Sequence, residues 1–336
     1  MTLHSTYPSV DASGKPASGD VKPRFWAGYW RSLKPLAVEE PIDVWVHRPL
    51  AYVLAKLLYP TRVSPNLVTF VSILFGIAAG AAMLRSSLSW HLQLAGACVF
   101  LSAIFDCADG QLARMRGTSS AFGRMLDGVA DAVVSLAAVG GSTYVIWTHY
   151  NATFWSGAIA VALCVLTAVT GSFHTSMYDH YKNLYLKFTS ERYSEGESYF
   201  SACERYRRGQ NNDSIFAKLA WPIYLFYMRG QENQVHAYDP YTTARLDLVP
   251  SYTPESHAVY ERHAARAMRV WKSFFGFGSL VFGISFGLML NVLEWYMLAR
   301  LVLQNAAFYL YLRPLQRRAS RAAFAEIGLK LPDQAA

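Results

Sequence analysis

Between residues 106 and 131 the chain reads DCADGQLARMRGTSSAFGRMLDGVAD, which sets four aspartates into largely apolar surroundings. Asp106 and Asp109 stand three residues apart, Asp127 and Asp131 four apart. In helical conformation each pair shares one face of its helix. An ionised carboxylate buried without a partner is strongly destabilising, and four in one place also repel one another. Of the three arginines in the segment only Arg114 and Arg124 are expected to lie near enough to help, so the counter-charge that such a cluster requires is a divalent metal. An all-oxygen donor set selects a hard ion, Mg²⁺ or Mn²⁺, over Zn²⁺, with one or two ions to be held.

The elements that must position these acids are membrane helices. Of 336 residues 53% are hydrophobic, 15% aromatic and only 16% charged, against about 25% charged in soluble domains. The apolar residues gather into runs long enough for a bilayer, which takes about 20 helical residues. Spans are expected near 66–84, 90–112, 122–147, 153–174, 272–290 and 292–312. The fold class is therefore all-α: a polytopic membrane protein of six helices. The second span then ends on Asp106 and Asp109, and the third opens on Asp127 and Asp131. Four carboxylates meet at one depth, about 6–9 Å below the helix ends at 1.5 Å per residue. At that depth a polar headgroup arrives from water while an attached lipid chain stays in hydrocarbon.

Basic residues set the orientation. Arg24, Arg31, Lys34, Arg48, Lys56 and Arg62 precede the first span, Arg114, Arg116 and Arg124 join spans two and three, and Arg313, Arg317, Arg318 and Arg321 follow the last. The opposite connections near residues 150 and 293 carry none. By the positive-inside tendency both termini and the acids face the cytoplasm of a cell inner membrane. The net charge of +8 is mostly this topology signal, and nothing reads as a nucleic-acid stripe.

Domain organisation follows. Residues 1–22, rich in Ser, Pro and Gly, read as a disordered tail without a secretory signal. Residues 23–62 form a juxtamembrane region. Within it, 41–58 set Val44, Trp45, Leu50, Val53, Leu54 and Leu57 against Asp43, His47, Arg48 and Lys56, an interfacial amphipathic helix kinked or restarted by Pro49. Residues 63–174 hold spans one to four, 175–271 a cytoplasmic insertion, 272–313 spans five and six, and 314–336 a cytoplasmic tail. The insertion is near neutral, with twelve Lys/Arg against eleven Asp/Glu, and its run 215–228 is broken by Pro222. It reads equally as a folded loop or as an acceptor-binding or lid element. Cys98, Cys107, Cys164 and Cys203 lack zinc-ligand spacing. Cys107 is expected to point away from Asp106 and to serve packing. Gly76/Gly80 and Gly283/Gly287 read as helix-packing pairs.

The acidic segment fits D-x2-D-G-x2-A-R-x8-G-x3-D-x3-D through Asp106, Asp109, Gly110, Ala113, Arg114, Gly123, Asp127 and Asp131, without departure in identity or spacing. In this the chain resembles the CDP-alcohol phosphotransferases, and Ser64-Pro65-Asn66 with Thr69 extends the likeness upstream. The resemblance implies a reaction. The hydroxyl of an acceptor alcohol attacks the phosphorus of a CDP-alcohol, CDP-diacylglycerol being favoured by the depth of the site, and CMP leaves. It implies that Asp106, Asp109 and Asp127 hold the metal and that Asp131 is the general base, with a possible share in a second ion. It also implies that Gly110, Ala113, Arg114 and Gly123 cradle the nucleotide, with Pro65 and Asn66 completing the cytidine pocket. Ser64 reads as well as a plain helix cap. A homodimer in membrane lipid is expected on the same ground.

Acceptor contacts lie outside the shared motif. His174, Asp179 and Lys182 after span four, and Arg300 within span six, are the candidates, while an ordinary membrane border explains the first three as well. Two other classes compete. An intramembrane Mg²⁺-dependent prenyltransferase would carry two separated Asp-rich motifs and about nine helices. A metal-dependent transporter would be expected to show an inverted repeat.

Overall fold

The computed structural model describes residues 25–33, 35–85, 87–118, 121–191, 199–209, 215–250 and 252–329, and their regular structure is helical throughout. The tail expected over residues 1–22 lies outside them. In chain order the elements are α1 (Phe25–Ser32), a π-helical turn (Asp43–His47) that runs into α2 (Arg48–Leu58), α3 (Pro65–Met83), α4 (His91–Arg116), α5 (Ala121–His149) and α6 (Phe154–Thr189). Then come α7 (Tyr199–Arg207), α8 (Ile215–Tyr238), α9 (Pro240–Thr243), α10 (Pro254–Phe274) and α11 (Phe277–Met289). The last run alternates α12 (Leu293–Ala299), a π turn (Arg300–Gln304), α13 (Asn305–Ala307), a second π turn (Phe308–Leu312) and α14 (Arg313–Ile327).

Local chemistry sets several helix ends. Ser64 caps α3 by accepting the Leu67 N–H at 3.3 Å, with Pro65 in the first turn, where its missing N–H costs nothing. Thr153–Ser156 and Thr253–Ser256 form reciprocal capping boxes at the starts of α6 and α10. Gly117, at φ +65°, ends α4 in the left-handed conformation that glycine adopts without steric cost.

Among the described residues five stretches are long and apolar enough to cross a membrane: Pro65–Met83, His91–Arg116, Met125–His149, Phe154–Thr189 and Pro254–Met289. Outward residues such as Phe154, Trp155, Leu136 and Leu310 are exposed, as side chains meant for lipid would be. The inner faces are small. A Cβ on Gly80 of α3 would stand 3.1 Å from the Ala137 Cβ of α5, and one on Gly76 would run into Val134. Ser285 of α11 donates to the Gly96 carbonyl of α4 at 2.7 Å. These glycines therefore set how closely α3, α4, α5 and α11 approach.

The structure departs from the sequence expectation in four places. The fourth span does not stop at 174, because α6 continues to Thr189. Its last turns are held in an aromatic core with Tyr260 and Trp271 of α10 and Phe324 of α14. The fifth span, expected unbroken, is interrupted at Phe275–Gly276. There the Glu40 carboxylate enters and receives the N–H groups of Gly278 and Ser279 at 3.1 and 3.0 Å. The sixth stretch, 292–312, is helical but wound with two π turns and stands outside the five above. The run 215–228 is not broken at Pro222, since α8 passes through it. Trp221 and Leu225 pack with Met125 and Val129 of α5, and that burial outweighs the lost backbone hydrogen bond.

In the π turn and α2 the apolar flank faces outward and the polar flank inward. Trp45, Leu50, Val53 and Leu57 are outward and exposed, while His47 and Arg48 are buried with Ala51, Tyr52 and Ala55. An interfacial helix turns its apolar flank to lipid, so its polar flank is free to face protein.

Candidate active site

α4 carries Asp106, Asp109, Gly110 and Ala113 on one stripe, and α5 brings Asp127 and Asp131 against it. Because α4 runs to Arg116, Asp109 lies about 10 Å and Asp106 about 15 Å from its end. From the start of α5, Asp127 and Asp131 lie about 9 and 15 Å in. Asp109, Asp106 and Asp131 therefore lie farther from the helix ends than the expected depth of about 6–9 Å. Carboxylate oxygens of Asp106, Asp109 and Asp127 all lie within 4.8 Å of one another. Ligands on opposite sides of a Mg²⁺ stand about 4.2 Å apart, from metal–oxygen distances near 2.1 Å. The three oxygens thus fit one hard ion with small side-chain adjustment, and the donor set contains no sulfur or nitrogen.

Asp131 stands apart from this trio. With Asp106 it lines a cavity of about 110 Å³ bounded by Ser72, Ser102, Val134 and Gly278 and by Glu40, Asp43 and His47. Cys107 also lines it while packing against the core between α2, α3 and α4.

Several groups that hold the acids were not expected from sequence. Thr69 of α3, itself buried, donates its hydroxyl to Asp109 Oδ2 and lies 3.2 Å from the Pro65 carbonyl. Arg116 gathers four carbonyls at the α2–α3 corner, those of Val63, Leu58 (2.6 Å), Tyr59 (3.1 Å) and Thr61 (3.0 Å). It thereby ties the end of the acid-bearing helix to the start of α3. Arg48 pairs with Glu39 at 3.0 Å, and His47 Nδ1 lies 2.8 Å from Asp43 Oδ1. Burial and the adjacent Asp43 push the Glu40 carboxyl up to about 8. The one sequence signal for this wall was the i, i+4 spacing of Asp43 and His47 on the polar flank of α2.

The nucleotide-side candidates fall around the trio. Arg114 donates from Nε to the Ser32 carbonyl at 3.0 Å, and its guanidinium lies over Gly110, 3.4 Å from where a Cβ would stand. Pro65 and Asn66 are half-buried in the first turn of α3, next to Thr69, and Gly123 lies in the first turn of α5. Ser64 is the helix cap described above. The insertion also reaches the site: Tyr224 of α8 would meet a Cβ on Gly128, between Asp127 and Asp131, at 3.4 Å.

The acceptor candidates separate into two groups. Asp179 and Lys182 form an ion pair, and Asp179 is close enough for its charge to act on Asp131. His174 is 1% exposed, between Phe275 and Phe308. Arg300 donates to Tyr296 Oη at 3.1 Å. Neither His174 nor Arg300 borders the cavity beside Asp131.

Residues 62–186, which contain the four acids and α3 to most of α6, match the family model for CDP-alcohol phosphatidyltransferase. A phosphatidylinositol phosphate synthase of Corynebacterium glutamicum is 35% identical over 114 residues, covering 34% of this chain and 50% of that protein. One of Mycobacteroides abscessus is 34% identical over 116 residues, with the same coverage. The chain spans about half the length of these curated relatives. Residues 62–186 thus match the CDP-alcohol phosphatidyltransferase model, within a chain whose described residues include five helical stretches long and apolar enough to cross a membrane.

Proposed function

We propose that this chain transfers the substituted phosphate of a CDP-alcohol, CDP-diacylglycerol in the first place, to an acceptor hydroxyl and releases CMP in phospholipid synthesis. The observation that carries the reading is the grouping of the acids: three share a metal-sized space, and the fourth lines an adjoining cavity together with Asp106. Asp106, Asp109 and Asp127 would hold Mg²⁺ or Mn²⁺, which supplies charge neutralisation on the pyrophosphate. Asp131 accepts the proton of the attacking hydroxyl as the new oxygen–phosphorus bond forms, and the bond from phosphorus to the CMP oxygen breaks. Arg114, over the open face of Gly110, pairs a phosphate oxygen, while Ala113 and Gly123 leave room for the nucleotide and Pro65 and Asn66 border it.

Asp179 and Lys182 are acceptor-side residues in this reading; His174 and Arg300 brace the bundle. The basic residues flanking the acids favour a cytoplasmic site with both termini on that side. A homodimer follows from the family resemblance. The test uses the purified full-length protein in detergent with CDP-diacylglycerol and a mixture of acceptor alcohols. CMP release that EDTA stops and Mg²⁺ restores supports the reading, and no metal-dependent CMP from any mixture refutes it.

A further inference from the structure

The cavity beside Asp131 has a composition unlike that of a site for an anion. Its lining includes four carboxyl groups, those of Glu40, Asp43, Asp106 and Asp131, and neither lysine nor arginine. Lys182 does not line it and is paired with Asp179. The polar groups of the wall are mostly occupied among themselves. Ser72 and Ser102 hydrogen-bond each other and each other's carbonyls. Glu40 receives two backbone N–H groups of α11.

One group is left over. His47 is 1% exposed and borders the cavity, its ring set against Phe100 and Phe282. Nδ1 faces Asp43 Oδ1 at 2.8 Å, and a carboxylate can only accept there, so in the neutral ring Nδ1 carries the proton. Nε2 is then an acceptor, buried and without a hydrogen-bond partner among the described residues. A buried acceptor of this kind calls for a donor from the occupant. The cavity, at about 110 Å³, far exceeds the ~10–15 Å³ that one water needs.

We propose that this cavity is the acceptor pocket, that it takes an uncharged polyhydroxyl alcohol in preference to a phosphorylated one, and that His47 Nε2 accepts a hydrogen bond from one of the acceptor's hydroxyls. The inference rests on the transferase reading above and adds the class of its second substrate. A second hydroxyl, directed at Asp131, is the one that attacks. The selecting wall of Glu40, Asp43 and His47 comes from the segment before residue 62, outside the matched domain. A phosphate on the acceptor would bring its negative charge beside Asp43 and Asp131, and among the described residues no lysine or arginine lines the cavity to receive it; like-charge juxtaposition is strongly unfavourable.

The experiment compares acceptors that differ by one phosphate, inositol with inositol phosphate and glycerol with glycerol 3-phosphate, by CMP release from CDP-diacylglycerol and Mg²⁺ with the full-length protein. The uncharged member of at least one pair is expected to have kcat/KM higher by about tenfold or more. Equal use of both members in each pair, or preference for the phosphorylated one, overturns the proposal while leaving the transferase reading intact. No CMP release with any of the four or with the wider mixture removes both. His47→Leu is expected to raise the KM of the preferred acceptor about tenfold, the usual effect of a lost hydrogen bond to a buried group. KM for CDP-diacylglycerol should stay within about twofold, and His47→Gln, whose amide oxygen reaches toward the Nε2 position, should recover part of the loss. Parallel changes in both KM values, or no difference between Gln and Leu, count against the role of His47. If His47→Leu does not fold, the wild-type comparison of the acceptor pairs still decides the substrate class.

Discussion

Thr69→Val isolates a side-chain hydrogen bond that links α3 to the acid cluster. Valine keeps the shape of threonine and removes its hydroxyl, which in the folded protein donates to Asp109 Oδ2 and lies 3.2 Å from the Pro65 carbonyl. Thr69 is 3% exposed, so no water replaces the donor. A hydrogen bond to a charged group contributes about 1.5–3 kcal/mol, and losing a partner of a metal ligand typically weakens metal binding about 10- to 100-fold. The two figures agree, because 1.36 kcal/mol is about tenfold. The expected result is a Mg²⁺ half-saturation for CMP release that rises about 10- to 100-fold, with most of kcat recovered at saturating Mg²⁺. Thr69→Ser, which keeps the hydroxyl, should stay close to wild type. An unchanged Mg²⁺ requirement in the valine variant, or a serine variant no better than valine, would refute the assignment of Thr69 as the group that orients Asp109.

Three further outcomes are expected. Asp131→Asn should abolish turnover while largely sparing CDP-donor binding, and Asp106→Asn should weaken metal and donor binding together; equal loss of both properties in both variants would remove the division of roles. Glu40, raised from 4.5 to about 8, keeps a proton in the folded state that the unfolded chain releases. Folding stability should therefore fall as pH rises from 4.5 towards 8, by an order of 5 kcal/mol over the whole range. Glu40→Gln should flatten that fall, and parallel melting curves for both proteins between pH 6 and 9 would contradict it. Arg116→Lys replaces a fork reaching four carbonyls with a point charge, so thermal unfolding in detergent should report a loss of about 2 kcal/mol, whereas an unchanged midpoint would mean the corner holds without it.

The sequence carried the acid-bearing helices because their signal is local. Apolar run length specifies a span, and offsets of three and four place Asp106 with Asp109 and Asp127 with Asp131 on single faces whatever the rest of the chain does. Ser64 as a cap, the packing role of Gly76 and Gly80, and the all-helical class were legible for the same reason.

What α4 and α5 meet when they pack is a different kind of information. Nothing in the spacing of Thr69 names Asp109, forty residues on, and no periodicity says that Glu40 caps a break in the fifth span. The polar flank of α2 was readable as a flank, but water and protein are both suitable partners for it, and only the packed bundle decided for protein. The grouping of three aspartates around a metal-sized space, with Asp131 and Asp106 on an adjoining cavity, likewise depends on how two helices cross. Sequence by itself determined which residues share a face. Tertiary structure decided which faces meet, because that outcome depends on the close approach of small residues and on buried polar groups finding partners far along the chain.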